Sequence, residues 1–451
     1  MKLQTGAIIL AVSAVLAASM AGCSSNPTTP SPSANTSSVS QSDFDKAMST
    51  PTTLTLWSWV PNLDKEVALF ETKYPQIKVD WVNPGSGSTL YTKLTAALQA
   101  KAGIPDVTQM EYQYLPTYLL GGNLLDIKPY VGSMAGLYPD WVLSQVSLNG
   151  GVYAIPMDTG PMGMLYRQDL LQQDNIPVPT TWDQFATAAT AFHQAHPDKW
   201  LTEIPANEFA VWLGFFWQAG AKPFTYDGKQ TVGINLTSDQ VKKVIDYWQP
   251  LIASGAIDTS PDWTDQWYAA LNDGTYAALL SASWAPAFLV SAAPDTVGNW
   301  RVSPLPQWDA SKQTSANWGG STLAVTTASQ NPIAAAELAR FIDQDPACAN
   351  IQVTDQSLFP SLNSMLSDDS WANQKPAFYG GQAVNQEFAQ ISQTVNTDWQ
   401  WPPFLDEVSS TFTDTLAKAT TDKGDLWAAV QAWQAALVKY AQDQGFTVVN
   451  S

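Results

Sequence analysis

The spacing of apolar residues between positions 53 and 107 restricts the fold more than any other feature of the chain. "TLTLWSW" (53–59) is rich in strand-forming residues; Leu63, Val67, Phe70 and Tyr74 then recur at helical spacing behind Asn62, a candidate N-cap; and Ile77, Val79 and Trp81 alternate as a strand does. Strand, helix and strand in that order make a βαβ unit, whose parallel strands need helices over them. A helix bearing Tyr91, Leu94 and Leu98 and stopping at Gly103 follows, then a short strand around Asp106 and Val107, so the unit repeats as a doubly wound α/β layer. Further helical patterns set Trp182, Phe185, Ala189 and Phe192 on one face, then Val241, Val244, Ile245 and Trp248. Another, starting at Asn331-Pro332, aligns Ala334, Leu338, Phe341 and Ile342. No period of the solenoid kind is present.

Cys23 and Cys348 are the only cysteines, so once Cys23 is acylated no internal disulfide is possible and this core has to hold without cross-links. Cys23 also ends a telling segment: Lys2, an apolar run from Ala7 to Ala18, and then "SMAGC". Residues 1–22 read as a secretory signal too short for a stable membrane span. Its ending resembles a bacterial lipobox, which implies that Cys23 receives diacylglycerol and begins the mature protein. Residues 23–50 are Ser, Thr, Pro and Asn with almost no large apolar side chains, so they read as a disordered tether. The roughly 400 residues that remain suffice for two or three domains of ordinary size. A net charge of −19, from 21 basic against 40 acidic residues, argues against nucleic acid as a partner. No later apolar stretch is long enough to cross a bilayer.

Catalytic signatures are missing. There is no G-x-S-x-G, no H-E-x-x-H and no G-x-x-x-x-G-K-[ST], and the loop "NPGSGSTL" (83–90) lacks the lysine of a phosphate cradle. His193 and His196, the only histidines, stand three apart without a nearby third ligand, so neither a metal nor a cofactor is expected. Carboxylates are plentiful, and their sequence positions do not select a glycosidase pair over any other.

Aromatic content stands out instead: 20 Trp, 15 Tyr and 16 Phe, many of the Trp beside Gly, Pro, Asp or Asn. Sugars present apolar C–H faces ringed by hydroxyls, so a site for them combines flat aromatic platforms with side chains that hydrogen-bond the rim. Trp81, Trp182 and Trp248 fall on the apolar face of their elements and read as core.

Several segments, taken in order, resemble the extracellular solute-binding proteins of carbohydrate ABC importers, the family that includes maltose-binding protein. They are "LTLWSW" leading to "FETKYPQIKV", "PDVTQMEYQYLPTYLLGGNLLDI", "NGGVYAIPMDTGPMGMLYRQDLL" with "VPTTWDQF", "LNDGTYAALLSASW", and "WRVSPLPQWD" leading to "WGGSTLAVTTASQNPIAAAELARFI". The resemblance implies a two-lobed periplasmic-binding-protein fold, with two doubly wound α/β lobes, a multi-segment hinge and a cleft between the lobes. Lobe 1 would take 51–158 and 303–344, and lobe 2 159–302 and 345–451. It further implies a monomer held at the outer face of a bacterial membrane by lipidated Cys23. Such a protein binds a carbohydrate, closes, and serves permease subunits and, indirectly, their ATPase; it is not an enzyme. Matching positions nominate Trp57, Trp59 and Asn62 at the first strand's end; Glu111, Tyr112 and Gln113 after "PDVTQM"; Asp158 at the first crossover; and Phe209 or Trp212 in "NEFAVW". Trp284 stands in "SASW", where relatives have Gly-x-Trp, and Trp318, Gly319 and Gly320 match the returning strand. The cluster "DWQWPPF" leaves Trp399, Trp401 and Phe404 as alternatives for a late platform, with Trp401 preferred. An anchored glycoside hydrolase and a surface carbohydrate-binding adhesin remain as the competing classes.

Overall fold

The computed structural model describes residues 38–449; the signal segment, Cys23 and positions 23–37 of the tether lie outside the described residues. Two separate sheets organise the described chain. In the first, the strands Ile77–Val82, Thr52–Trp57 and Val107–Glu111 run parallel in that spatial order. Ser321–Val325 then pairs antiparallel to Val107–Glu111, Ser321 opposite Glu111, and Ile155–Pro156 closes the far edge. Every residue of Ser321–Val325 is buried, as are Val107 to Met110, which fits central strands covered on both faces. The helices Asp64–Lys73 and Pro332–Gln344 pack on this sheet and on each other, the Phe70 and Phe341 rings meeting at 5.5 Å.

The second sheet is wound differently. Met162–Arg167 lies between Ala278–Ala282 and Trp300–Pro304 and is antiparallel to both, so Met164 faces Leu280 on one side and Ser303 on the other. Helices surround it, and Trp182, at the start of Trp182–Ala195, holds their packing together. Its ring lies 5.4 to 5.6 Å from those of Phe185, Phe215, Tyr247, Trp248 and Trp308, and its indole N–H donates to Gln218.

The chain passes between the two sheets at about 157–161, 305–320 and 357–361, and these passes lie side by side. The amides of Met157 and Asp158 donate to the Ser321 carbonyl, Trp318 N–H donates to Gly160 O at 2.8 Å, and Thr159 N–H donates to Phe359 O at 3.1 Å. Ser361 Oγ completes the join by donating to the carbonyls of Pro156 and Met157. This is a two-lobed α/β fold with a hinge of several segments.

Local departures from expectation have local causes. The tether does not extend to residue 50: Gln41–Ser49 is a helix capped by Ser40, and its Phe44 packs edge-on against Tyr74 while Met48 is buried. "QSDFDKAMS" supplies what the preceding Ser/Thr/Pro run lacks, two apolar side chains spaced four apart for one helical face. Asn62 is not the N-cap of the next helix, which begins at Asp64 behind Leu63; Asn62 instead takes a left-handed φ of 59° at the turn. The helix Ser88–Ala100 ends at left-handed Lys101, before Gly103. Trp81 is half-buried, because its strand is the sheet's edge, and its indole N–H donates to Ser58 O at 3.0 Å. Two lobe limits also move. Ser303 and Pro304 pair within the second sheet, and the helix Pro346–Thr354 packs on Asp64–Lys73 of the first lobe, where Gln356 Nε2 donates to Glu66 at 2.6 Å. His193 and His196 are engaged structurally, His193 with the Lys199 carbonyl and His196 with Asp174, both through ring nitrogens.

Candidate functional site

The hinge side of the first sheet gathers the polar part of the site. Trp59 follows one parallel strand and Glu111 ends the next, so both sit at the carboxyl ends of strands, where open α/β sheets bind ligands. Gln109 fixes this rim from within: its Oε1 accepts from Ser58 Oγ at 2.7 Å and from Trp59 N–H at 3.0 Å, and its Nε2 donates to Ser321 Oγ at 2.9 Å. Ser321 in turn donates from its amide (2.9 Å) and hydroxyl (2.5 Å) to Asp158 Oδ1. Burial pushes the Asp158 carboxyl up to about 6 against those two bonds. Glu111 is raised too, first by burial, with the Asp158 charge adding to it; Tyr91 and Gln113 donate to its two oxygens at 2.9 and 3.1 Å.

The aromatic part comes from the second lobe and the returning crossover. Trp284 follows the strand Ala278–Ala282, and its indole N–H donates to Trp318 O at 2.9 Å, with the two rings edge to face at 5.0 Å and 82°. This contact requires glycine at 160, where a Cβ would sit 1.9 Å from the Trp318 carbonyl oxygen. Trp263 joins them, 5.8 Å from Trp284 and 5.1 Å from Trp267. It is 44% exposed and holds φ at 59°, a conformation that costs an L-residue about 1–2 kcal/mol. Its neighbour Asp262 is clasped by Asn207, which donates to the carboxylate at 2.7 Å and accepts the Asp262 amide at 3.2 Å.

Trp59, Glu111, Asp158, Trp263, Trp284, Trp318, Gly319, Gly320 and Ser321 line a single cavity of about 320 Å³, at the small end of the range for ligand sites. A smaller inner cavity of about 10 Å³ shares Trp263, Trp284 and Trp318 with it and adds Glu203 and Asp262. Glu203 Oε1 accepts the Trp267 indole N–H at 2.9 Å, while its Oε2 is buried without a hydrogen-bond partner among the described residues. Burial pushes Glu203 and Glu208 up to about 7 and Asp262 up to about 6. Flat rings beside carboxyls suit the C–H faces and hydroxyl rims of a sugar. No cluster of three or more metal-ligating side chains occurs among the described residues.

Of the residues expected at the site, Trp59, Glu111, Asp158, Trp284, Trp318, Gly319 and Gly320 meet at this cavity. The others lie off its wall. Trp57 is half-buried in its strand, Asn62 is exposed at the turn, and Gln113 serves by bonding Glu111. Tyr112 is buried, its hydroxyl donating to Asp158 O at 3.1 Å, and so supports the wall from behind. Trp212 is fully buried in Phe209–Gln218, and half-buried Phe209 begins that helix facing Phe412. Trp401 lines a different cavity, about 50 Å³, with Trp399, Gln145 and Leu115; its indole N–H donates to Gln145 at 2.8 Å. No carboxylate lines that second space. Trp263, Glu203, Asp262 and Ser321 were not foreseen, although Trp263 has the cue of a loop tryptophan, standing in "SPDWTD".

Among known families, the profile described as bacterial extracellular solute-binding protein matches residues 65–379, which include every residue of the larger cavity except Trp59. The chain belongs to the bacterial extracellular solute-binding proteins. It is similar to the arabinooligosaccharide-binding protein of Bacillus subtilis strain 168, at 24% identity over 60% of this chain and 63% of that one. The corresponding Halalkalibacterium halodurans protein is matched over 54% of its length, so the alignment spans less than two thirds of these relatives. The lactose-binding protein of Rhizobium radiobacter is 25% identical over 74% of this chain and 81% of its own. Among solved structures, the ABC transporter associated binding protein of B. animalis subsp. lactis Bl-04, in complex with β-1,6-galactobiose, superposes with a TM-score of 0.75. It is 33% identical and covers 88% of this chain and 99% of its own. MalE of Xanthomonas citri, at 22% identity and a TM-score of 0.74, shares the fold. No helix among the described residues is long and apolar enough to cross a membrane.

Proposed function

We propose that this solute-binding protein captures a short oligosaccharide outside the cell and hands it to the permease of an ABC importer. One observation carries the reading: Trp59, Trp263, Trp284 and Trp318 converge with Glu111 and Asp158 on one cavity beside the hinge. Stacking platforms and hydrogen-bond acceptors drawn from both lobes give a ligand contacts that exist together only when the lobes are near. Ligand therefore favours the closed state by the difference in contacts between the two states. Similarity to a protein solved with β-1,6-galactobiose makes that disaccharide the first candidate, with lactose and arabino-oligosaccharides next. Lobe 1 takes about 38–158 and 321–358, and lobe 2 the remainder of the globular chain. Cys23 is the lipid attachment point that holds a monomer at the outer face of the membrane, and the ATPase acts only through the permease.

A thermal-shift screen of mono- and oligosaccharides tests this, since a ligand at 100 times its Kd raises native stability by about 2.7 kcal/mol. Small-angle scattering with the sugar that binds should give a smaller radius of gyration, and chromatography should recover that sugar intact. A cleaved sugar with unchanged scattering would place the chain among anchored hydrolases instead.

A further inference from the structure

The carboxyl groups around the cleft have no cationic counterpart. Glu111 and Asp158 line the larger cavity, Glu203 and Asp262 the smaller, and no Lys, Arg or His lines either among the described residues. Glu208, at the start of the helix Phe209–Gln218, feels the charges of both Asp262 and Glu111, so the acids of the two lobes share one electrostatic environment. Glu203 is 3% exposed, and its second oxygen has no hydrogen-bond partner among the described residues, although a buried acceptor ordinarily finds one. It lies behind the three tryptophans that the two cavities share. The space beside it, about 10 Å³, is of the size of one water molecule, so Glu203 acts on a ligand through its charge and not by direct contact.

Resting on the sugar-binding reading above, we infer that the cleft selects sugars by charge, admitting rings that bear only hydroxyl groups and rejecting rings that carry a carboxylate. Glu203 and Asp262 set this selectivity from the cleft floor. At pH 7.5, above the values of about 6 to 7 to which burial raises Asp158, Asp262 and Glu203, a uronate entering the cavity is placed beside carboxylates with no guanidinium or ammonium to pair it, and specificity then arises from repulsion as much as from contact. At the effective dielectric of a protein surface, two like charges about 6 Å apart differ from a neutral pair by on the order of a hundredfold in affinity, and water and salt reduce that figure. The net charge of −19 adds a weaker, long-range bias in the same direction.

Calorimetry on the intact globular chain at pH 7.5 tests the inference with β-1,6-galactobiose and lactose. Each is titrated beside its analogue oxidised to the carboxylate at C6 of the non-reducing ring, and beside the methyl ester of that acid. The acid should bind at least about tenfold more weakly than the parent, and the uncharged ester within about threefold of it. Half-molar salt should narrow the gap, and so should Glu203→Gln or Asp262→Asn. A gap below tenfold, an ester as weak as the acid, or a gap that neither substitution changes overturns charge selection while leaving sugar binding standing. Failure of both neutral disaccharides and every other glycan to bind overturns the transport reading and this inference together.

Discussion

Trp263 and Trp212 provide the sharpest separation between a tryptophan that meets ligand and one that fills the core. Trp212 is fully buried in the helix Phe209–Gln218, so Trp212→Ala should cost about 3–5 kcal/mol of stability through lost burial and a residual void. Trp263 is 44% exposed, and truncation forfeits roughly half of that, about 2 kcal/mol, with no sealed cavity left behind. Binding should respond in the opposite order. Trp263→Ala removes a platform from the cavity wall and should weaken sugar binding by about 2 kcal/mol, roughly thirtyfold in Kd, whereas Trp212→Ala should leave the affinity of the folded fraction within about twofold. Chemical denaturation gives the first pair of numbers and calorimetry with the sugar from the screen gives the second. If Trp263→Ala binds normally while folded Trp212→Ala does not, the wall has been assigned to the wrong tryptophan and the cavity is not the site.

Three further outcomes follow, two from the structure and one from the sequence. Glu203 and Glu66 are buried acids raised from 4.5 to about 7, so the folded state holds their protons more tightly than the unfolded one does. Their contribution is complete below pH 4.5 and is lost as pH rises toward 7; denaturation midpoints should fall across that window, and less steeply in Glu203→Gln. Gly160→Ala drives a Cβ to 1.9 Å from a carbonyl oxygen in the hinge, so it should lower the melting temperature and weaken sugar binding together, as read by calorimetry. Cys23→Ser should abolish incorporation of labelled fatty acid and release the protein from membranes; retained label would disprove the anchor.

The first sheet was legible because its period changes cleanly: Ile77, Val79 and Trp81 alternate where Val67, Phe70 and Tyr74 had repeated helically. Trp81 shows the limit of that signal, since alternation gives the face of a strand but not whether the strand is an edge. "FAVWLGFFWQ" gave no phase at all, because every residue from Val211 to Gln218 is buried and no polar stripe marks a face. Trp284 and Trp318 came through resemblance, whereas Glu203, Asp262 and Trp263 meet through pairings between distant loops. Glu203 bridges to Asp258, and Asn207 to Asp262, across 55 residues in each case. Such contacts leave no periodic trace. Trp401 sits in an aromatic-rich stretch like a platform, yet edge-to-face contacts with Trp217 and Trp399 draw it into another space.

The strand Ser321–Val325 lies between Val107–Glu111 and Ile155–Pro156, so the first sheet cannot close until residue 325 has left the ribosome. The ends of that pairing are more than two hundred residues apart along the chain, and closing so long a loop before any contact rewards it makes folding slow. For the exported binding protein proposed above, this delay would have a use. The nascent protein would stay threadable through a secretion channel for as long as its N-terminal half waits for the strand that completes it.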